Sequence, residues 1–146
     1  MFITLFSHSN QEITIQRCKA ACKNFRELFF NQFMDVYVIA CSSPYKSDLI
    51  ESHLTCVIPR NRFLIIECKN TISGIVLLDK IFEENNLARN ILYITSDFHI
   101  ARVSFISNSV FRHKEYNVDF ISLETESDKE KFRENENKKI IIMHEN

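Results

Sequence analysis

Glycine is nearly absent from this chain of 146 residues, which contains a single one, Gly74. Phosphate-cradling loops depend on glycine, because only a residue without Cβ lets backbone N–H groups close on a ligand. A P-loop or a G-x-G-x-x-G dinucleotide site is therefore excluded. Long apolar runs are missing too. No stretch approaches the roughly 20 residues of a membrane-spanning helix, so no membrane partner is expected. The opening "MFITLFSHSN" has no basic flank, extended apolar segment or small-residue cleavage site, and the protein is expected to be unexported and cytoplasmic. An excess of charge is also lacking: 18 Lys and Arg against 19 Asp and Glu leave a net charge of -1. A general nucleic-acid binder would need a basic surface, so nucleic acid is not an expected partner.

Five cysteines, Cys18, Cys22, Cys41, Cys56 and Cys68, form an odd set with no C-x-x-C pair. Cys18 and Cys22 are neighbours on one helix face and read as small packing residues. No Cys/His cluster of zinc-ligand spacing follows them, and His53, His113 and His144 are scattered. Reduced thiols and no metal site are expected.

What is present is the length and patterning of one domain, enough to bury roughly two thirds of the unfolded surface in a single core. Apolar runs at 1–6, 36–40, 63–67, 91–95 and 116–123 are rich in Ile, Val, Phe and Tyr and read as strands. Helical periodicity fills the intervals, at about 12–33, 46–56, 71–86 and 98–111. Nearly continuous apolar strands alternating with helices predict an α/β fold. It is a doubly wound, mostly parallel, Rossmann-like sheet of five strands with helices on both faces. The domain is expected to span 1–123. The remainder, 124–146, is a charged solvated helix or loose tail in which "IIIM" (140–143) returns as an edge strand.

In such sheets ligands bind outside the carboxyl ends of the strands, where strand order reverses. The residues placed there are Ser7 and His8, then Ser42 and Ser43, then Glu67, Asn70 and Thr71, then Thr95, Ser96, Asp97 and His99. Ser96 is expected to cap a helix starting near Asp97, which sets His99 and Arg102 on one face at the helix N-terminus. Free N–H groups, the helix dipole and a planar guanidinium together suit phosphate or carboxylate.

The segment Thr95-Ser96-Asp97-Phe98-His99-Ile100-Ala101-Arg102 resembles the Thr-Ser-x-x-His-x-x-Arg signature of the ElyC/SanA/YdcF-type domain of unknown function. Arg17 with Ala20 and Ala21, "IACSS", "VIPRNRFLIIE" and "NTISGIVLL" resemble further segments of that family, so the likeness covers most of the chain. Two departures stand out: the family's glycines after the first two strands are replaced by "SHS" and "SS", and its Glu-Asn pair by Ser73 and Gly74. The resemblance implies an α/β fold and a pocket around Glu67, Thr71, His99 and Arg102.

The expected function is binding of an anionic, nucleotide-like or phosphorylated small molecule at the carboxyl edge, with hydrolysis or transfer as compatible chemistry. His99 would be the general acid or base, and Glu67 a base or the group that sets the imidazole tautomer. Ser7, His8, Arg17, Ser42, Ser43, Thr71, Thr95, Ser96 and Arg102 would contact the ligand, with Thr71 and Ser96 also read as helix caps. No cofactor is specified. The plain alternative pairs Arg102 with a carboxylate such as Glu67 and leaves His99 a loop hydrogen bond. The chain would then be an inactive relative acting through protein contacts, with Phe29, Phe30 and Phe33 as its interface if they were exposed together.

Overall fold

Strands that are apolar on both sides need cover on both faces, and the chain supplies it with alternating helices. In a computed structural model, residues 1–124 are described. The strands are β1 (Phe2–Phe6), β2 (Tyr37–Ser42), β3 (Phe63–Glu67), β4 (Arg89–Ser96) and β5 (Tyr116–Leu123). The main helices are α1 (Gln11–Phe25), α2 (Ser47–Leu54), α3 (Thr71–Glu84) and α4 (Ile100–Phe111). All strand pairings are parallel, in the order β3-β2-β1-β4-β5. The fold is the predicted doubly wound α/β single domain. The expectations for the charged tail and for a strand at 140–143 fall outside the described residues, Glu124 excepted.

The sheet divides the core in two. Ile3, Leu5, Val38, Ala40 and Ile94 face Cys18, Ala21 and Phe25 of α1 and Ile50 and Leu54 of α2. On the other face Phe6, Ile39, Cys41, Ile91 and Tyr93 meet Ile75, Leu78 and Phe82 of α3 and Val103, Ile106 and Phe111 of α4. Strand order turns back between β1 and β4, so their carboxyl ends open a crevice with α1 leaving one face and α4 the other.

Capping sets where the helices around that crevice begin. Asn10 accepts from Glu12 N and Ile13 N at the start of α1. Asn70 and Ser73 form a reciprocal capping box at the start of α3, so Asn70, not Thr71, is the cap. Gly74 lies in the next turn with an ordinary helical backbone. A Cβ there would come within 3.3 Å of Cys41 Cβ, Cys68 Sγ and Phe6 Cε1, so the missing side chain lets α3 approach the sheet.

Two boundaries differ from the periodicity. The first helix was expected to run to residue 33, but α1 ends at Phe25 and a π-helical segment follows (Arg26–Asn31). Wider hydrogen bonds, such as Gln32 N to Glu27 O at 3.1 Å, insert an extra residue per turn. The apolar stripe rotates off the core, leaving Phe30 at 49% and Phe33 at 89% exposure. The fourth helix is preceded by a 3-10 turn, Asp97–His99, and becomes α-helical only at Ile100.

Candidate functional site

The crevice is a cavity of about 340 Å³. Its charged and titratable lining comprises Arg17, Lys69, Arg102, His8, His99 and Cys68, with Cys41 deeper, and among the described residues no carboxylate lines it. Ser7, Ser9, Ser43 and Thr71 add hydroxyls. The site draws on the segments that follow β1, β2, β3 and β4, which is why residues far apart in sequence meet.

His99 is 4% exposed and held at both ring nitrogens. Nδ1 lies 2.9 Å from Thr95 Oγ1, while Nε2 lies 2.7 Å from Arg102 Nη2 and 3.3 Å from Thr71 Oγ1. A guanidinium only donates, so Nε2 must accept from Arg102 and the ring proton must sit on Nδ1, donating to Thr95. Arg102 Nη2 also donates to Thr71 Oγ1 at 3.1 Å. The His99–Arg102 spacing of three therefore places both on one face as expected, with Thr71 joining from α3.

Arg17 comes from α1 and is fully buried. Its Nη1 donates to the Phe6 carbonyl at 2.8 Å, and Nη2 donates to Ser96 Oγ at 3.0 Å, bridging the ends of β1 and β4 across the switch point. Ser96 is thus not a helix cap: no hydrogen bond from its side chain caps the turn, and its hydroxyl is spent on Arg17. Asp97 Oδ1 accepts from Phe98 N at the turn instead.

Ser7 Oγ accepts from Ser43 N at 3.0 Å and stitches β1 to β2 at the cavity rim. His8 Nδ1 accepts from Asn10 N at 2.9 Å, and its ring packs edge-on against Phe98. Of the expected ligand contacts, Ser7, His8, Arg17, Ser43, Thr71 and Arg102 line the cavity together with His99. Ser42, Thr95 and Ser96 are buried behind the wall, where Thr95 and Ser96 position His99 and Arg17.

Glu67 requires a correction. Its Oε1 accepts from Ser47 Oγ at 3.5 Å, outside the cavity, and the place foreseen for it against the His99 ring is taken by Thr95. The reason is strand alternation: the side chains of Glu67 and Cys68 leave β3 in opposite directions, and Cys68 enters the cavity. Glu67 is likewise not the carboxylate that the plain alternative placed on Arg102, whose Nη2 reaches Thr71 and His99. Lys69, Cys68 and Cys41 were missed as site residues. The strand-end rule that selected Asn70 and Thr71 applies equally to "CKN" (68–70).

Among the described residues no cluster of three or more His, Cys, Asp or Glu side chains could hold a metal ion, and no helix is long and apolar enough to cross a membrane. All five cysteines are free thiols. Fold and site define a doubly wound α/β domain with a cation-lined cavity at its switch point. Comparison with family models, curated proteins and solved structures finds no match for the chain.

Proposed function

We propose that the protein binds a phosphorylated or nucleotide-like anionic small molecule in the carboxyl-edge cavity. The observation that carries this reading is the lining: Arg17, Lys69 and Arg102 beside two histidines and four hydroxyls, with no carboxylate among the described residues. A phosphate or carboxylate offers oxygen acceptors that suit the planar guanidinium donors and the ammonium of this lining. The volume, about 340 Å³, is at the lower end of small-molecule sites and suits one metabolite. The Thr-Ser-x-x-His-x-x-Arg segment that resembles the ElyC/SanA/YdcF-type domain supplies the central His99 and Arg102, which supports kinship with that family.

Arg102 is the primary anchor and Lys69 the second, while Arg17 mainly holds the floor. An arriving anion takes donors from Arg102 that His99 Nε2 now accepts. That leaves the imidazole lone pair beside the ligand, where it can take a proton from an attacking nucleophile. Hydrolysis or transfer at a phosphoryl or acyl centre is the compatible chemistry, with Arg102 stabilising developing negative charge.

The competing reading is an inactive relative acting through protein contacts. Exposed Phe30 and Phe33 beside the π-helical segment favour it. Thermal unfolding of the full chain with inorganic phosphate, pyrophosphate, sugar phosphates, nucleotides and S-adenosylmethionine separates the two. A ligand at about 100 times its Kd stabilises the folded state by about 2.7 kcal/mol. Stabilisation by one phosphorylated class, lost in Arg102→Ala while that variant stays folded, is the expected result. No shift with any compound, or an equal shift in wild type and variant, overturns it.

A further inference from the structure

β3 lies at one edge of the sheet, and among the described residues no strand pairs with its outer side. Cys68 N donates to Ser42 O at 2.9 Å, so strand alternation turns the N–H and C=O groups of Leu64, Ile66 and Cys68 toward β2. Those of Phe63, Ile65 and Glu67 point out of the edge. An unpaired edge is a template for a further strand, and folded proteins blunt it with charge, proline or a bulge. The other edge, β5, is interrupted by exposed Asn117, Asp119 and Ser122. In β3 the run Phe63-Leu64-Ile65-Ile66 carries none of these devices, its register against β2 is unbroken, and Leu64 is 48% exposed. We propose that β3 pairs with β3 of a second copy of this chain, antiparallel about a two-fold axis at Ile65, joining the two sheets into one.

The strand fits itself in that register. The axis sets Ile65 opposite its own copy and Phe63 opposite the partner's Glu67. These are the residues whose backbone groups point outward, as hydrogen-bonded antiparallel pairs require. No other antiparallel register pairs the whole strand.

The side chains match as well. Phe63 and Ile65 pack on the α1 and α2 face, and Arg60 lies over the Phe63 ring at 5.3 Å from its centroid. The partner's Glu67, directly across from Phe63 on that face, arrives beside a guanidinium. Arg60 also pairs with Glu51, yet its side chain is 71% exposed and its remaining donors can take a second carboxylate. Glu67 accepts from Ser47 Oγ at 3.5 Å, the outer limit of a hydrogen bond, and gives up little by turning to the partner. On the opposite face Leu64 meets the partner's Ile66 in the closer, non-hydrogen-bonded type of pair, which removes an exposed apolar side chain from water. Backbone, charge and apolar surface are each matched, and the two-fold axis repeats every match.

The test is sedimentation velocity of the full chain over micromolar concentrations, with residue-resolved amide exchange on the same samples. A dimer that grows with concentration is expected, together with rising protection of the Phe63, Ile65 and Glu67 amides. Leu64, Ile66 and Cys68, bonded within one chain, are the controls and should not change. Glu67→Arg and Arg60→Glu should each weaken the dimer about ten-fold or more by setting like charges across the axis, and the double variant should restore it. Ile65→Pro should abolish it, because proline is tolerated where an edge N–H faces solvent but cannot donate to a partner. The charge variants carry the test if Ile65→Pro does not fold. A chain that stays monomeric overturns the proposal, as does a dimer in which the three outward amides exchange freely or the charge variants have no effect. Protection that does not vary with concentration also overturns it, and assigns the edge to the apolar 140–143 segment of the same chain. Because β3 pairing and the carboxyl-edge cavity use different groups, failure here leaves the phosphate reading standing, and the reverse holds too.

Discussion

The His99 imidazole is fixed by two neighbours of different kinds, a hydroxyl at Nδ1 and a guanidinium at Nε2. Thr95→Val keeps the shape of the strand end and removes the acceptor of the buried Nδ1–H. An unsatisfied buried donor costs about 1–3 kcal/mol, so the variant should unfold at correspondingly lower denaturant, and Thr95→Ser should recover most of the loss. Chemical denaturation of the three proteins measures both effects. An unchanged midpoint in Thr95→Val would mean that Thr95 does not set the tautomer. That Thr95, His99 and Arg102 would come together was legible, because a polar pair ends an apolar strand and His and Arg three apart share one face. The side-chain partners were not legible. Hydroxyls at strand ends and helix starts serve as caps or as acceptors alike, and only the folded packing shows Ser96 given to Arg17 and Thr71 to Arg102.

Among the elements, α3 shows what a single glycine contributes. Gly74 is helical without a positive φ, so alanine would gain up to about 1 kcal/mol of helix propensity at an isolated site. Here the added Cβ meets Cys41 Cβ in a central strand, and that neighbour cannot rotate away, although Cys68 Sγ can. Overpacking of this kind costs about 1–3 kcal/mol, so Gly74→Ala should be destabilising on balance. A thermal melt with a raised midpoint would contradict the close approach of α3 to the sheet. The strands and three of the four helices were legible from their apolar spacing, because burial on both faces writes continuous runs. The end of α1 was not legible: a 3.6-residue period looks the same up to the point where the π-helical segment adds a residue, and Phe29, Phe30 and Phe33 then lose their common face. Phe33 is left in the left-handed region at φ 55°, a costly backbone for an aromatic residue and one that no apolar pattern reveals.

For the molecule as a whole, the cavity opens at the carboxyl end of the sheet and an ion-pair cluster ties the amino end. At the amino edge, Asp79 of α3 accepts from Arg89 Nε of β4 at 2.9 Å and from Lys114 Nζ ahead of β5 at 2.6 Å, tying three segments together far from the cavity. Burial alone would raise the Asp79 carboxyl, but the hydrogen bonds and charges of Lys114 and Arg89 outweigh it and hold it below its ordinary value of 3.8. A carboxylate depressed in the folded state contributes stability above its unfolded pKa and loses it as pH falls through the folded value. The difference in unfolding free energy between wild type and Asp79→Asn should therefore be constant from about pH 5 to 7 and shrink below about pH 4. A difference that persists into acid would show that the contribution is not ionic. The anion binding proposed for the opposite edge should survive in Asp79→Asn.

The cavity is most directly tested at the nitrogen where binding must be felt. Long-range ¹H–¹⁵N correlation of the histidine rings, with His99 assigned by loss of its signals in His99→Gln, reports tautomer and ligand together. Without ligand, the His99 signals should be those of a neutral ring protonated at Nδ1. Addition of pyrophosphate should shift Nε2 saturably, as Arg102 passes its donors to the anion, with exposed His113 unmoved. An Nε2-protonated tautomer at the start, or a His99 signal that moves no more than His113 at millimolar pyrophosphate, would contradict the assignment of this cavity as an anion site.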